Sequence, residues 1–156
     1  MAGLRMPAGL LWLYNVAWKL PPDFGRDREG LLYGYVVDAI EHPVFPPFTW
    51  VMQNLVEPAF IPFGSGVLVV ESALAALLLA GTYTRPAALL GIAQAGAITL
   101  SVLLTSGEWP WAYYMLLSIH VVLFLTGAGL TWGTDGVRGS AAAGNGGPAA
   151  RSFLAA

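Results

Sequence analysis

The sequence predicts an all-α integral membrane protein, a four-helix bundle with short interfacial helices in its first extracytoplasmic loop. Of the 156 residues, 56% are hydrophobic and only 10% are charged, whereas soluble domains carry about 25% charged residues. The mean hydropathy is +0.65, and the apolar runs are too long and too numerous for one buried core. The net charge of −2 and the absence of a basic patch give no reason to expect a nucleic-acid partner.

The first predicted span covers residues 4–20 and is short for a bilayer core, at about 25 Å of helix. Pro7 fits the first turn of this helix, and Arg5 and Lys19 at its ends can extend toward the lipid headgroups. The turn-rich sequence PPDFGRDREG then ends the helix. No small-residue cleavage site follows the apolar run, so we expect a retained helix rather than a signal peptide.

Residues 31–63 contain two shorter apolar pieces that include polar residues such as Asp38 and Glu57. The sequence HPVFPPF between them cannot hold a regular helix because of its prolines. We interpret the segment as two amphipathic helices at the membrane interface joined by a proline-rich elbow. A re-entrant loop is the alternative.

Three further spans are predicted at residues 64–83, 86–105 and 111–132. The links between them are so short that neighbouring helices must be antiparallel. The helical domain is expected to end at residue 134, and residues 135–156, rich in Gly, Ala and Ser, are expected to form a flexible tail. Basic residues favour cytoplasmic termini in the plasma (inner) membrane by four to three.

Two ionisable residues, Glu71 and His120, lie near the middle of apolar spans. Such groups cost several kcal/mol (about 2.5 or more) in hydrocarbon unless they are paired or face a cavity. They lie about 10 Å and about 13 Å along two parallel helices. We therefore expect the two side chains to approach each other across the bundle and to act in catalysis, although a structural His–Glu pair is the alternative.

Further polar and aromatic residues are predicted to lie near this pair. Asn15 shares a helix face with Trp12 and Lys19, and Gln94 shares one with Ser101. Hydrogen bonds between helices are the simpler interpretation of the polar residues, and an aromatic belt at headgroup level is the simpler interpretation of the tryptophans. The predicted ligand-binding residues are Asn15, Gln94, Ser101, Tyr113, Trp109 and Trp111.

A buried His–carboxylate pair in an apolar, aromatic-lined pocket suits proton exchange with a quinone head group. The chain has no cysteine, which excludes thiol chemistry of its own, and its two histidines cannot supply a ligand set for haem or a metal cluster. No metal site is therefore predicted, and menaquinone or ubiquinone is the expected cofactor.

The chain resembles the DoxX family of small bacterial membrane proteins, related to the DoxD subunit of thiosulfate:quinone oxidoreductase. The resemblance covers about residues 5–138 and rests on the phrases GLLWLYNVAWKLPPDFG, HPVFPPF, VLVVESALAALLLAGTYTRPAAL and GEWPW. It implies a quinone-linked subunit of a membrane redox complex, with a protein partner and with the lipid bilayer as its surroundings. The resemblance carries over no catalytic residue set.

Two alternative functions remain open at this level. The protein could be a non-enzymatic membrane anchor or assembly scaffold for a soluble redox enzyme. It could also be a small-solute or lipid transporter, which would require a homo-oligomer because four spans are few and no inverted repeat is visible.

Overall fold

The structure, a computed structural model, describes residues 2–19, 21–26, 31–130 and 132–137. Regular secondary structure in these ranges is entirely helical. Two helices are long and apolar enough to cross a membrane, Phe60–Ala80 and Thr84–Val102, and Pro110–Thr126 is a shorter apolar helix. The helices are α1 (Ala2–Ala17), α2 (Leu32–Glu41), α3 (Pro46–Val51), α4 (Phe60–Ala80), α5 (Thr84–Val102) and α6 (Pro110–Thr126).

The four predicted spans correspond to α1, α4, α5 and α6, but every helix begins and ends earlier than the sequence predicts. Glycine accounts for two of these ends. Gly81 (φ +65°) follows α4 and Gly127 (φ +55°) follows α6, both in the left-handed conformation that ends a helix. The last predicted span therefore breaks at residue 127 and continues only as a short 3₁₀ turn, Ala128–Leu130.

The two short helices predicted within residues 31–63 are present as α2 and α3, with the HPVF part of the elbow between them. A π-helical turn, Met52–Val56, continues directly from α3. The face of α2 toward the protein buries Leu32, Val36 and Ala39 in an apolar cluster with the π turn and the start of α4. The α2 helix thus covers one end of the long helices and also packs against α5.

Close helix packing positions the site. The α1 helix packs mainly against α4, and α5 packs mainly against α6, whereas α1 and α6 share a smaller contact. Gly91 on α5 is essential for one of these approaches, because a Cβ atom there would lie 2.0 Å from Cδ2 of His120 on α6. The sequence predicts a close-packing role for Gly91 and Ala95, and both residues are buried.

At the opposite end from α2, residues 132–137 pack against the turn between α4 and α5. The Asp135 carboxylate accepts hydrogen bonds from the backbone amides of Tyr83 (2.8 Å) and Thr84 (2.9 Å). The Asp135 amide donates to the Gly81 carbonyl (3.0 Å). The packed chain therefore continues past residue 134, where the sequence predicts the domain to end; residues 138–156 of the predicted tail lie outside the described residues.

Arg5 is buried at this same end, and its guanidinium group caps the last turn of α4. It donates to the backbone carbonyls of Leu78 and Leu79, the latter at 3.0 Å, and to that of Trp132 at 3.0 Å. Carbonyls at a helix C-terminus carry partial negative charge and attract a cation. Arg5 thus joins α1, α4 and the 132–137 segment at what we call the Arg5 end.

Candidate functional site

A cluster of two buried and two half-buried polar side chains lies between α1, α4 and α5, toward the α2 end. The Lys19 ammonium nitrogen is 2.7 Å from Oε2 of Glu71, and the two side chains are 3% and 0% exposed. The other carboxylate oxygen, Oε1, accepts hydrogen bonds from Asn15 Nδ2 and Gln94 Nε2, each at 3.1 Å. Three helices therefore converge on a single carboxyl group.

The bonds of this cluster fit an ionised, mutually neutralising pair. A carboxylate can only accept hydrogen bonds and an ammonium can only donate them, and Glu71 has a donor at each oxygen. Lys19 also donates to the Asn15 carbonyl (3.2 Å) and lies 4.0 Å from the centroid of the Trp18 ring. The cation–π contact and the ion pair together compensate the buried positive charge.

Gln94 keeps hydrogen-bonding capacity beyond its contact with Glu71. A glutamine amide has two N–H donors and one carbonyl acceptor. Among the described residues, Gln94 uses a single donor, the one toward Glu71. Its remaining groups can bind a polar part of a ligand.

His120 lies apart from this cluster, nearer the Arg5 end of the helices. Its Nδ1 lies 2.8 Å from the Leu116 carbonyl, which can only accept, so Nδ1 carries the proton. Its Nε2 then accepts a hydrogen bond from the Trp12 indole nitrogen at 2.8 Å. Both ring nitrogens are used, and His120 is a neutral, fully bonded residue that links α1 to α6.

The expected approach of Glu71 to His120 is thus replaced by two separate contacts. No hydrogen bond joins the two side chains, since Glu71 binds Lys19 and His120 binds Trp12. Similar depth on parallel helices does not fix the direction in which each side chain points. The flexible Lys19 side chain does not extend toward the headgroups, as its position at the end of the predicted span suggests, but turns inward to the carboxylate.

The polar cluster forms part of the wall of a cavity of about 500 Å³. Helices α1, α2, α4, α5 and α6 all contribute to its lining, which is mostly apolar. Its volume lies within the range of about 300–1,000 Å³ typical of small-molecule sites. An apolar cavity with a few convergent polar groups is the usual form of such a site.

Most of the predicted ligand-binding residues line this cavity. Asn15, Gln94, Ser101 and Tyr113 do so together with Glu71. Ser101 donates to the Ala97 carbonyl (3.0 Å) and so already has a partner within its own helix. Trp109, Trp111 and His120 are not part of the lining; the two tryptophans are exposed and His120 is buried beneath it.

Two tyrosines close the α2 side of the cavity. Tyr113 on α6 donates a hydrogen bond from its hydroxyl to the Glu108 carboxylate in the preceding loop. Burial raises the pKa of Tyr35 on α2, and the neighbouring Glu108 carboxylate raises it further. Tyr35 is therefore a neutral hydroxyl at pH 7, able to donate or accept a hydrogen bond.

Comparisons with protein-family models, with curated proteins and with solved structures found no match for this chain. Among the described residues, no three His, Asp or Glu side chains come together as metal ligands.

Sequence reasoning missed Lys19 and Tyr35 as members of the site. A signal for Lys19 was available, since Trp12, Asn15 and Lys19 follow one face of α1 and its extension. All three line the cavity. Tyr35 gave no such signal, because the position of α2 over the cavity depends on tertiary packing.

Proposed function

We propose that the chain is a multi-pass protein of the bacterial inner membrane, a four-helix membrane bundle with the Arg5 end facing the cytoplasm. The proposal is supported by the outward faces of the long helices, which expose large apolar side chains such as Leu10, Leu13, Val69, Leu89 and Leu125. The most apolar windows of α4 and α5 are only 33% and 39% buried. Soluble proteins rarely expose apolar surface on this scale.

Within the bundle, we propose that the cavity binds a quinone, or a similar apolar molecule with a polar head group. The observation that carries this proposal is the composition of the cavity wall. The wall is mostly apolar, but it includes the Lys19–Glu71 ion pair and the Gln94 amide, which has hydrogen-bonding groups left over. A quinone ring is flat and apolar, with two carbonyl acceptors. The apolar lining suits the ring, and the second Gln94 donor or the Tyr35 hydroxyl suits a carbonyl.

The residues of the site would then have distinct roles. Gln94 binds a ring carbonyl, while Asn15 and Lys19 hold the Glu71 carboxylate in place. Glu71 is the group able to accept a proton from a bound quinol. When bound, a quinone supplies two-electron, two-proton redox chemistry.

We assign the exchange of electrons to a protein partner, in keeping with the resemblance to DoxX proteins and to a subunit of thiosulfate:quinone oxidoreductase. The chain itself has no cysteine and two histidines, and His120 has both ring nitrogens engaged within the fold. On this proposal the chain is the quinone-binding subunit of a membrane redox complex.

Quinone binding is tested with protein purified in mild detergent, by analysis of co-purified menaquinone or ubiquinone and by quenching of tryptophan fluorescence on titration. Ala97→Phe introduces a bulky side chain at the cavity wall and should abolish binding. Ala93→Phe is the matched control, because Ala93 is exposed on the same helix and is not part of the lining.

Gln94→Leu removes the proposed donor and should weaken binding about two- to tenfold, the effect of one neutral hydrogen bond. Gln53→Leu, at an exposed position outside the cavity, should have no effect. A protein that carries no quinone and shows no saturable quenching contradicts the proposal. Equal binding by the Ala97→Phe and Ala93→Phe variants does so as well.

A further inference from the structure

The wall of the cavity is closed on most sides and exposed on one. The lining residues from α2, α4 and α5 are all buried or half-buried. The exposed lining residues are all on α1 and α6, and they include Tyr14 (76%), Met115 (62%) and Leu11 (51%). The cavity therefore opens sideways, between these two helices.

Toward the Arg5 end, the opening is limited by the contact between Trp12 and His120. Their hydrogen bond of 2.8 Å and their edge-on ring contact, with centroids 5.6 Å apart, hold α1 and α6 together. Gly91 on α5 makes room for the His120 ring. Over their whole length α1 and α6 share far fewer contacts than α1 shares with α4 or α5 with α6, and both helices line the cavity.

Toward the α2 end, the opening extends to the start of α6. Ala112, the first lining residue of that helix, lies about 12 Å along the helix axis from His120. The end of the cavity beyond it is covered by α2, through Leu32, Tyr35 and Val36. An opening bounded in this way faces the side of the helices and not their end.

The opening is lined mainly by apolar groups. Leu11, Met115 and Ala112 carry no polar group beyond the weakly accepting thioether of Met115, and Tyr14 adds an aromatic ring with a single hydroxyl. The neighbouring outward residues Leu10 and Leu13 are also exposed. A molecule that leaves the cavity here passes directly onto the apolar flank of the protein.

We propose that this opening between α1 and α6 is a lateral portal, through which a lipid-soluble ligand reaches the cavity from the bilayer with its polar ring inside and its polyprenyl tail outside. The inference rests on the proposed function and adds to it the route of entry and the position of the tail. A cavity of about 500 Å³ accommodates a drug-sized ring system. A long isoprenoid tail exceeds that volume and must extend into hydrocarbon.

The absence of cysteine from the sequence makes the portal testable by thiol labelling. Met115→Cys places a single thiol at the rim of the opening. Leu125→Cys places the control thiol on the same helix, at an equally exposed position (68%) outside the lining. Both variants are reconstituted into phosphatidylcholine vesicles and labelled with a lipid-soluble maleimide, with and without a long-tailed ubiquinone or the tailless duroquinone.

At nine-tenths occupancy, the long-tailed ubiquinone should slow labelling of the M115C thiol about tenfold, because one-tenth of the sites remain free. Labelling of the L125C thiol should not change. Duroquinone should quench tryptophan fluorescence yet protect the M115C thiol much less, because it has no tail to occupy the portal.

The two proposals fail in different ways. If both quinones quench fluorescence but the long-tailed one leaves the M115C thiol unprotected, the portal is refuted and quinone binding stands. Equal protection of the two thiols also refutes the portal. If neither quinone binds, the proposed function fails and the portal fails with it.

Discussion

The ion pair between Lys19 and Glu71 is expected to dominate the energetics of the site. The charged atoms are 2.7 Å apart, and both side chains are almost completely buried. Removing one partner of a buried pair costs about 3–5 kcal/mol, because the other charge stays behind without compensation. We therefore expect Lys19→Met and Glu71→Gln each to lower the free energy of unfolding by about this amount.

The double variant K19M/E71Q removes both charges together and should be much more stable than the sum of the single effects predicts. For residues in direct contact, coupling energies reach about 3 kcal/mol. We expect a value near this upper limit, since the pair is short, buried and supported by further hydrogen bonds. The assay is reversible unfolding by SDS titration in mixed micelles, followed by circular dichroism.

A second cycle, between Glu71→Gln and His120→Leu, provides the matched control. His120→Leu leaves the Trp12 indole without its acceptor and is destabilising by itself. Its coupling to Glu71 should nevertheless stay within about 0.5 kcal/mol, as for residues without shared partners. Strong coupling in this cycle, with additive effects in the Lys19–Glu71 cycle, would refute the arrangement of the site described above.

Four further substitutions test the fold. Gly91→Ala should destabilise the protein by about 1–3 kcal/mol, because the added carbon collides with His120, whereas Gly96→Ala, with open space around it, should stabilise α5 by up to about 1 kcal/mol. Asp135→Ala removes the acceptor at the start of α5 and should cost about 0.5–2 kcal/mol; an unchanged unfolding midpoint contradicts this. Burial raises the pKa of Asp38 above 3.8, so its ionisation penalises the folded state, and the stability advantage of Asp38→Asn should grow as the pH rises above that value and be absent below it.

Within the described ranges, the order of helices α1 to α6 was predictable from the sequence, and hydrophobic run length was a strong signal for the long ones. The ends of the helices were harder to predict. The apolar run of the last predicted span continues through Gly127. Hydropathy carries no information on backbone conformation, so it could not predict that the left-handed conformation of Gly127 ends α6 there. The role of Asp135 was also not predicted. Its carboxylate accepts a hydrogen bond from the Tyr83 amide, although the composition of residues 135–156 suggested a flexible tail.

Polar residues that interrupt apolar helices are easily recognised in the sequence, and the structure joins three of them, Asn15, Glu71 and Gln94, by hydrogen bonds. The sequence could not assign their partners, because the rotation of each helix about its own axis is set by packing. Lys19 shows the difficulty most clearly. A lysine at the end of an apolar span usually extends to the membrane surface, and only the neighbouring carboxylate explains why this one turns inward.

The contacts of Arg5 have a consequence for the biosynthesis of the protein. Arg5 is synthesised well before Trp132, whose carbonyl is one of its three acceptors. Until that late segment is synthesised, the guanidinium group lacks part of its hydrogen bonding, and α5 lacks the Asp135 carboxylate at its start. The earlier helices can therefore form one after another, whereas the full set of contacts at the Arg5 end forms only after residues 132–137 have been synthesised.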